Sequence, residues 1–181
     1  MIKNNGGHFR KIFIENCDYY FNEDEDCLNY ARMIYENCPL IECLPLVFSS
    51  SSFDEFEKLL QTCQNLKALS IHMIDNEWNG CEQREKEKLE YGEKLSKALI
   101  DFAPKKLRAI WFSKHHFKFS LKTLETLLEN WRSRTTLSIF TSDFDYRKDE
   151  YIKIINKYKN DGVIRDLHIT QECLFHPAVV I

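Results

Sequence analysis

Seven cysteines, two adjacent histidines, a run of four serines and a run of four acids are the groups in this 181-residue chain whose chemistry could act directly. The cysteines are Cys17, Cys27, Cys38, Cys43, Cys63, Cys81 and Cys173, an odd number with no C-x-x-C pair. Neither a zinc site nor a disulfide framework is spaced that way. Dispersed thiols of this kind are those of a reducing compartment, so the chain is expected to be cytoplasmic or nuclear. Cys38 and Cys43 read as buried thiols at helix ends. His115 and His116 are neighbours, so on a strand or turn they point apart and do not share a ligand. Nucleophilic catalysis needs a Cys or Ser beside a His. The chain has no G-x-S-x-G elbow, and Ser49 to Ser52 suit helix capping better. The acidic run Glu23-Asp24-Glu25-Asp26 lacks the alternating oxygen ligands and Gly of a calcium loop, and it suits the positive end of a helix. Five glycines, Gly6, Gly7, Gly80, Gly92 and Gly162, form no phosphate-cradling pattern. The expectation is a chain with no catalytic residue, no metal and no cofactor, and so not an enzyme.

Composition agrees with a binding role. At 44% hydrophobic and 29% charged residues the chain is globular. A net charge of -3 gives nucleic acid and anionic membranes no electrostatic reason to bind. No run of apolar residues is long enough to span a bilayer, so no membrane partner is expected. The polar stretch Met1 to Arg10 has no apolar segment of the kind a signal peptide carries. The length is that of one domain, residues 1–181.

The elements that position these groups follow a repeat. An apolar residue, two free positions, an apolar residue, one free position and an apolar residue recur along the chain. The copies are Phe9/Ile12/Ile14, Ile41/Leu44/Leu46, Leu66/Leu69/Ile71, Leu107/Ile110/Phe112, a degenerate Arg134/Leu137/Ile139, and Ile164/Leu167/Ile169. Each ends in the alternation of a half-buried strand. Between them lie stripes of helical period: Cys27/Tyr30/Ala31/Ile34/Tyr35, Phe56/Leu59/Leu60/Cys63, Leu95/Ala98/Leu99/Phe102, Leu121/Leu124/Leu127/Leu128/Trp131 and Tyr151/Ile154/Ile155/Tyr158. Ser52, with Glu55 three residues on, predicts a capping box, and Ser120 predicts a second cap. Pro39 and Pro104 end two helices, and Gly162 takes a left-handed cap. The charged segment 75–87 reads as a surface insertion and 171–181 as an irregular tail.

Strand–helix alternation predicts a parallel sheet of about six strands. The regular repeat predicts a solenoid with all helices on one face. The free strand positions then form columns on the other face. One column is Phe13, Pro45, Ser70, Trp111, Ser138 and His168, and the next is Glu15, Val47, His72, Ser113, Phe140 and Thr170. Two readings compete for Trp111 and Phe140: hot spots on an open face, or rings packed on each other or under the insertion carrying Trp78. For Phe13 the packed reading is favoured. Pro45 lacks an N–H and predicts a bulge or a break in the ladder. The candidate protein-binding residues are Trp111, Phe140, Val47, His72, His168 and Phe13.

Cys38-Pro39-Leu40-Ile41-Glu42-Cys43-Leu44 and Cys63-Gln64-Asn65-Leu66-Lys67-Ala68-Leu69 resemble the helix-end-to-strand signature of leucine-rich repeats in F-box proteins. Phe119-Ser120-Leu121-Lys122-Thr123-Leu124-Glu125 and the segment Tyr151 to Lys159 resemble the expanded fungal F-box/leucine-rich-repeat-like type. The resemblance spans Phe9 to Thr170 and implies a leucine-rich-repeat-like α/β fold. It implies the substrate-recognition half of an SCF-type ubiquitin ligase adaptor, with an unknown target protein as partner. An F-box normally precedes the repeats, and the residues before Phe9 are too few to hold one. A Skp1-type adaptor is therefore expected only if a longer product carries an F-box. The usual Asn or Cys three positions after each strand is met clearly by Cys17 alone. The alternatives are a small α/β enzyme with a strand-end pocket, or a truncated remnant without independent function.

Overall fold

Period-2 segments become strands and period-3.6 segments become helices, joined into five α–β units. The computed structural model describes residues 7–12, 24–73, 81–112 and 116–170. The units are α1 (Asp24–Asn37) with β1 (Cys43–Phe48), α2 (Phe53–Thr62) with β2 (Ala68–Met73), α3 (Cys81–Phe102) with β3 (Ala109–Phe112), α4 (Leu121–Asn130) with β4 (Leu137–Thr141), and α5 (Asp149–Asn160) with β5 (Ile164–Ile169). All strand pairs are parallel and lie in the order β1-β2-β3-β4-β5. Among the described residues the sheet therefore has five strands, against the expectation of about six. Around Phe9 to Ile12 the pairing is a single bridge, Lys11 to Cys43, and Phe13 and Ile14 lie outside the described residues.

One turn recurs where each of the first four helices meets its strand. Ile41 N–H donates to Cys38 O at 3.0 Å, Leu66 to Cys63 at 3.1 Å, Leu107 to Pro104 at 3.0 Å and Arg134 to Trp131 at 2.9 Å. α5 ends differently. Gly162, at φ 73°, donates to Lys159 O, and Val163 donates to Tyr158 O, the paired bonds of a left-handed cap. Beyond the turn a shared carbonyl starts the ladder at each of the first three strands. Arg10 O accepts from Glu42 and Cys43, Glu42 O from Lys67 and Ala68, and Lys67 O from Arg108 and Ala109, at 2.6 to 3.2 Å.

The helices bury their stripes in one core. Ile34, Phe56, Leu59, Leu99, Leu127, Leu128 and Tyr158 join Leu44, Leu46, Leu69, Ile71, Ile110, Phe112 and Ile139. Strand residues of the opposite parity form a separate cluster of Cys43, Ala68, Ala109, Trp111 and Phe140 that, among the described residues, contains no helix residue. Pro45 breaks nothing: β1 and β2 pair in register throughout. Cys43 directs its N–H to Arg10 and its carbonyl to Ile12. By alternation Pro45 faces that same side, away from β2, where a missing N–H removes no β1–β2 bond.

Three local expectations need correction. Residues 81–87 belong to α3 rather than to a surface excursion, because Glu85–Lys88 (2.7 Å) and Lys86–Glu90 (4.0 Å) pair along the helix. Residues 74–80 lie outside the described set. Ser52 makes no side-chain cap bond to α2; its hydroxyl instead closes a 3-10 turn with Ser49 N–H (2.9 Å) and Ser49 O (2.9 Å). Glu55 is thereby released from the cap. It is buried between α1 and α2, accepting from Tyr35 (2.7 Å), Arg32 (3.1 Å) and Lys58 (3.1 Å). Ser120 does cap α4, accepting from Thr123 N–H at 3.1 Å.

Two measurements test this packing. The Tyr35 hydroxyl, followed by Arg32 and Lys58, holds the Glu55 carboxyl at about 2, against the upward push of burial. A depressed carboxylate stabilises the fold fully above its ordinary value of 4.5 and loses that contribution as pH falls toward 2. The gap in Tm between the native chain and Glu55→Gln should therefore close over that interval. Gly92 lets the 117–119 segment lie on α3, since a Cβ there would overlap the Lys118 carbonyl. Ala favours helix by about 1 kcal/mol, but a clash with backbone costs roughly 1–3 kcal/mol or more. Gly92→Ala is expected to lower unfolding free energy by about 1–2 kcal/mol in a denaturant titration.

Candidate binding face of the sheet

Alternation places Cys43, Pro45 and Val47, Ala68, Ser70 and His72, Ala109 and Trp111, Ser138 and Phe140, and Asp166 and His168 on the face away from the core that holds the helix stripes. The register arranges them in rows. One row is Cys43, Ala68, Ala109, Ser138 and Asp166, and the next is Pro45, Ser70, Trp111, Phe140 and His168. The small row gives the rings of the large row room to lie over the sheet. Trp111 stacks on Phe140 at 4.2 Å and 9°, and Phe140 stacks on His168 at 4.7 Å and 13°. These spacings are close to the roughly 4.8 Å between neighbouring strands, so ring stacking and backbone pairing reinforce each other.

The expected columns had Ser138 beside Trp111, and the structure puts Phe140 there. In the first three units pairing resumes two residues after the turn, at Cys43, Ala68 and Ala109, whereas Ser138 lies four residues after Arg134. Thr135 and Thr136 are the extra residues. Their hydroxyls donate to Lys105 O and Gly162 O, each at 3.0 Å. Arg134 explains the degenerate repeat. Its guanidinium donates to the end of α3 at Ile100 O (2.6 Å) and Ala103 O (2.9 Å) and lies 4.8 Å over the Trp131 ring. A cation at a helix C-terminus replaces the apolar residue used elsewhere.

The open aromatic face is also corrected. Trp111 is 5% exposed, Phe140 6% and Val47 1%. Trp111 and Phe140 are packed on each other, one of the two readings weighed for them, and belong to a core. Phe13 and Trp78 lie outside the described residues. His72 is half-buried and His168 is exposed. Asp166, which sequence reasoning passed over, sits two residues before His168 on the same face, and strand alternation was the signal that could have found it. Lys159 donates to its Oδ1 at 2.9 Å, and that bond holds the carboxyl below its ordinary range. The accessible part of the face therefore lies toward β5, the last strand of the sheet.

Chemistry of other kinds finds little support in this geometry. Ser70 Oγ lies 2.8 Å from His72 Nε2, the reach of a nucleophile and its base. Ser70 is only 1% exposed, so no substrate carbonyl can approach it in this conformation. A groove of about 600 Å³ is lined by Gln61, Gln64, Asp101, Lys105 and Arg134, where helices end and strands begin. Ligands of open parallel sheets sit at the other end, beyond the strand C-termini. Cys27, Cys38, Cys43 and Cys63 are buried and form no disulfide, and burial pushes the Cys63 thiol up to about 12. Among the described residues no three His, Cys, Asp or Glu side chains form a metal-binding group, and no helix is long and apolar enough to cross a membrane. No protein-family model matches the chain, and no curated protein matches it.

Burial separates the two ends of the aromatic row. Trp111→Ala is expected to cost about 3 kcal/mol of stability, read as a lowered urea midpoint. His168→Ala, which removes only the exposed end of the stack, should cost no more than about 1 kcal/mol. Equal losses would mean that His168 is as much a part of the core as Trp111.

Proposed function

We propose that this chain is a protein-binding module, a leucine-rich-repeat-like solenoid segment that receives a partner on the sheet face away from its helices. The observation that carries the reading is the division of the strand side chains. The stripes of all five helices share one core, and the opposite strand parity goes to a second cluster that, among the described residues, has no helix residue in it. Among the described residues strand order follows chain order without reversal, so those strands make no topological switch point of the kind that opens an enzyme cleft. The turn recurring at Ile41, Leu66, Leu107 and Arg134 supports a repeat origin. The likeness to F-box/leucine-rich-repeat-like proteins suggests that the partner is a ubiquitination target. Skp1-type recruitment would then need an F-box in a longer product.

With the aromatic rings buried, the partner's contacts fall on His72 and Ser138. A photo-crosslinking amino acid placed in turn at Ser138, at His72, and at Lys97 or Glu125 on the helix layer tests this in cell extract. Adducts with one protein from the first two positions and none from the helix positions are expected. Adducts confined to Lys97 or Glu125 would move the binding surface to the helices and defeat the proposal.

A further inference from the structure

The flank formed by α5 and β5 has the composition of a surface that pairs with itself. β5 ends the sheet and, among the described residues, pairs with β4 alone. α5 turns one side to α4, through Lys157–Glu125 (2.8 Å) and Tyr158–Glu129 (2.7 Å). Ile152 and Lys159 are seven residues apart, about two turns, and so share another stripe. Lys159 reaches Asp166 on β5 at 2.9 Å, which places that stripe over the outer edge of the sheet. Ile152 on it is 39% exposed, and Leu167 and Ile169 below it are only partly buried.

We propose that a second copy of this chain docks on this flank, β5 beside β5 in antiparallel pairing about a twofold axis at Leu167. The register follows from charge. With Leu167 on the axis, Asp166 lies opposite His168 of the other copy, and His168 lies opposite its Asp166. Both are on the accessible face, with side chains 40% and 47% exposed. Within one chain His168 Nε2 stands 3.9 Å from Asp166 Oδ2, beyond hydrogen-bond length, so the ring is not committed to that oxygen. The irregularity between β4 and β5 falls at Leu137/Ser138, opposite Arg165, and leaves Asp166 to Ile169 in regular pairing. At rises of about 3.3 Å per strand residue and 1.5 Å per helix residue, Leu167 stands level with the part of α5 around Ile152. The axis therefore brings the two Ile152 side chains toward each other above the joined strands. A self-complementary patch closes at two copies, as a twofold interface must.

Sedimentation equilibrium of the full chain across the micromolar range tests the pairing, with circular dichroism confirming the fold of each variant. A monomer–dimer equilibrium is expected. Ile152→Glu and Asp166→Arg should each raise the dimer dissociation constant by roughly tenfold or more. The double swap Asp166→His with His168→Asp restores the facing pairs and should recover most of the affinity lost in Asp166→His alone. A chain that stays monomeric throughout, dimers indifferent to both single variants, or open-ended higher oligomers would each overturn the proposal.

Discussion

The start of each of the first three strands is held by a peptide carbonyl of the preceding unit that accepts two consecutive N–H groups, and the remaining geometry builds on that contact. Arg10 O, Glu42 O and Lys67 O do this in succession. Side chains alternate along a strand, so setting the first pair sets which residues of the whole row face the helices. A slip of one residue would carry Leu44, Leu69 and Ile110 out of the core and put Pro45, Ser70 and Trp111 into it. Charges at the same level support the setting: Glu42 bridges Arg10 and Lys67, each at 2.8 Å. These pairs are partly exposed, so their contribution is small beside the apolar core they align.

The fourth unit shows how the fold absorbs a departure from its own repeat. Two extra residues enter between the Arg134 turn and β4, and the ladder recovers its parity because the shift is an even number. Side chains keep their faces, and only their neighbours along the row change. The cost is local. Thr135 and Thr136 find carbonyl partners, and Arg134 satisfies the last carbonyls of α3. The shift also brings Phe140 beside Trp111, so the aromatic stack exists because of the irregularity. In the uninterrupted register Trp111 would have met Ser138.

Under the proposed binding role, the stack would set where a partner reaches the protein. Two large rings stack on each other over a row of small residues and remove apolar area from water, in a cluster whose described members are all strand residues. That leaves polar and ionisable groups near β5 as the accessible part of the face. Binding there would depend more on charge and hydrogen bonding than on aromatic anchors, with the complementarity that sets specificity and encounter rate.

Periodicity alone was enough to identify the α–β alternation, the parallel sheet, the buried helix stripes, the Ser120 cap and the Gly162 turn. These are local or nearly local consequences of side-chain spacing and backbone conformation. The face of Trp111, Phe140 and His168 was legible for the same reason. Their neighbours and their burial were not, because a row joins residues far apart in the chain, and its register depends on loop lengths that the apolar pattern does not encode. The Ser52 cap failed on similar grounds: Glu55 has a better set of partners in Arg32 and Tyr35 of α1, and only the packing of two helices brings them within 3.1 Å. Tertiary structure decided which potential contacts were made, since each group bonds to whatever folding places nearest.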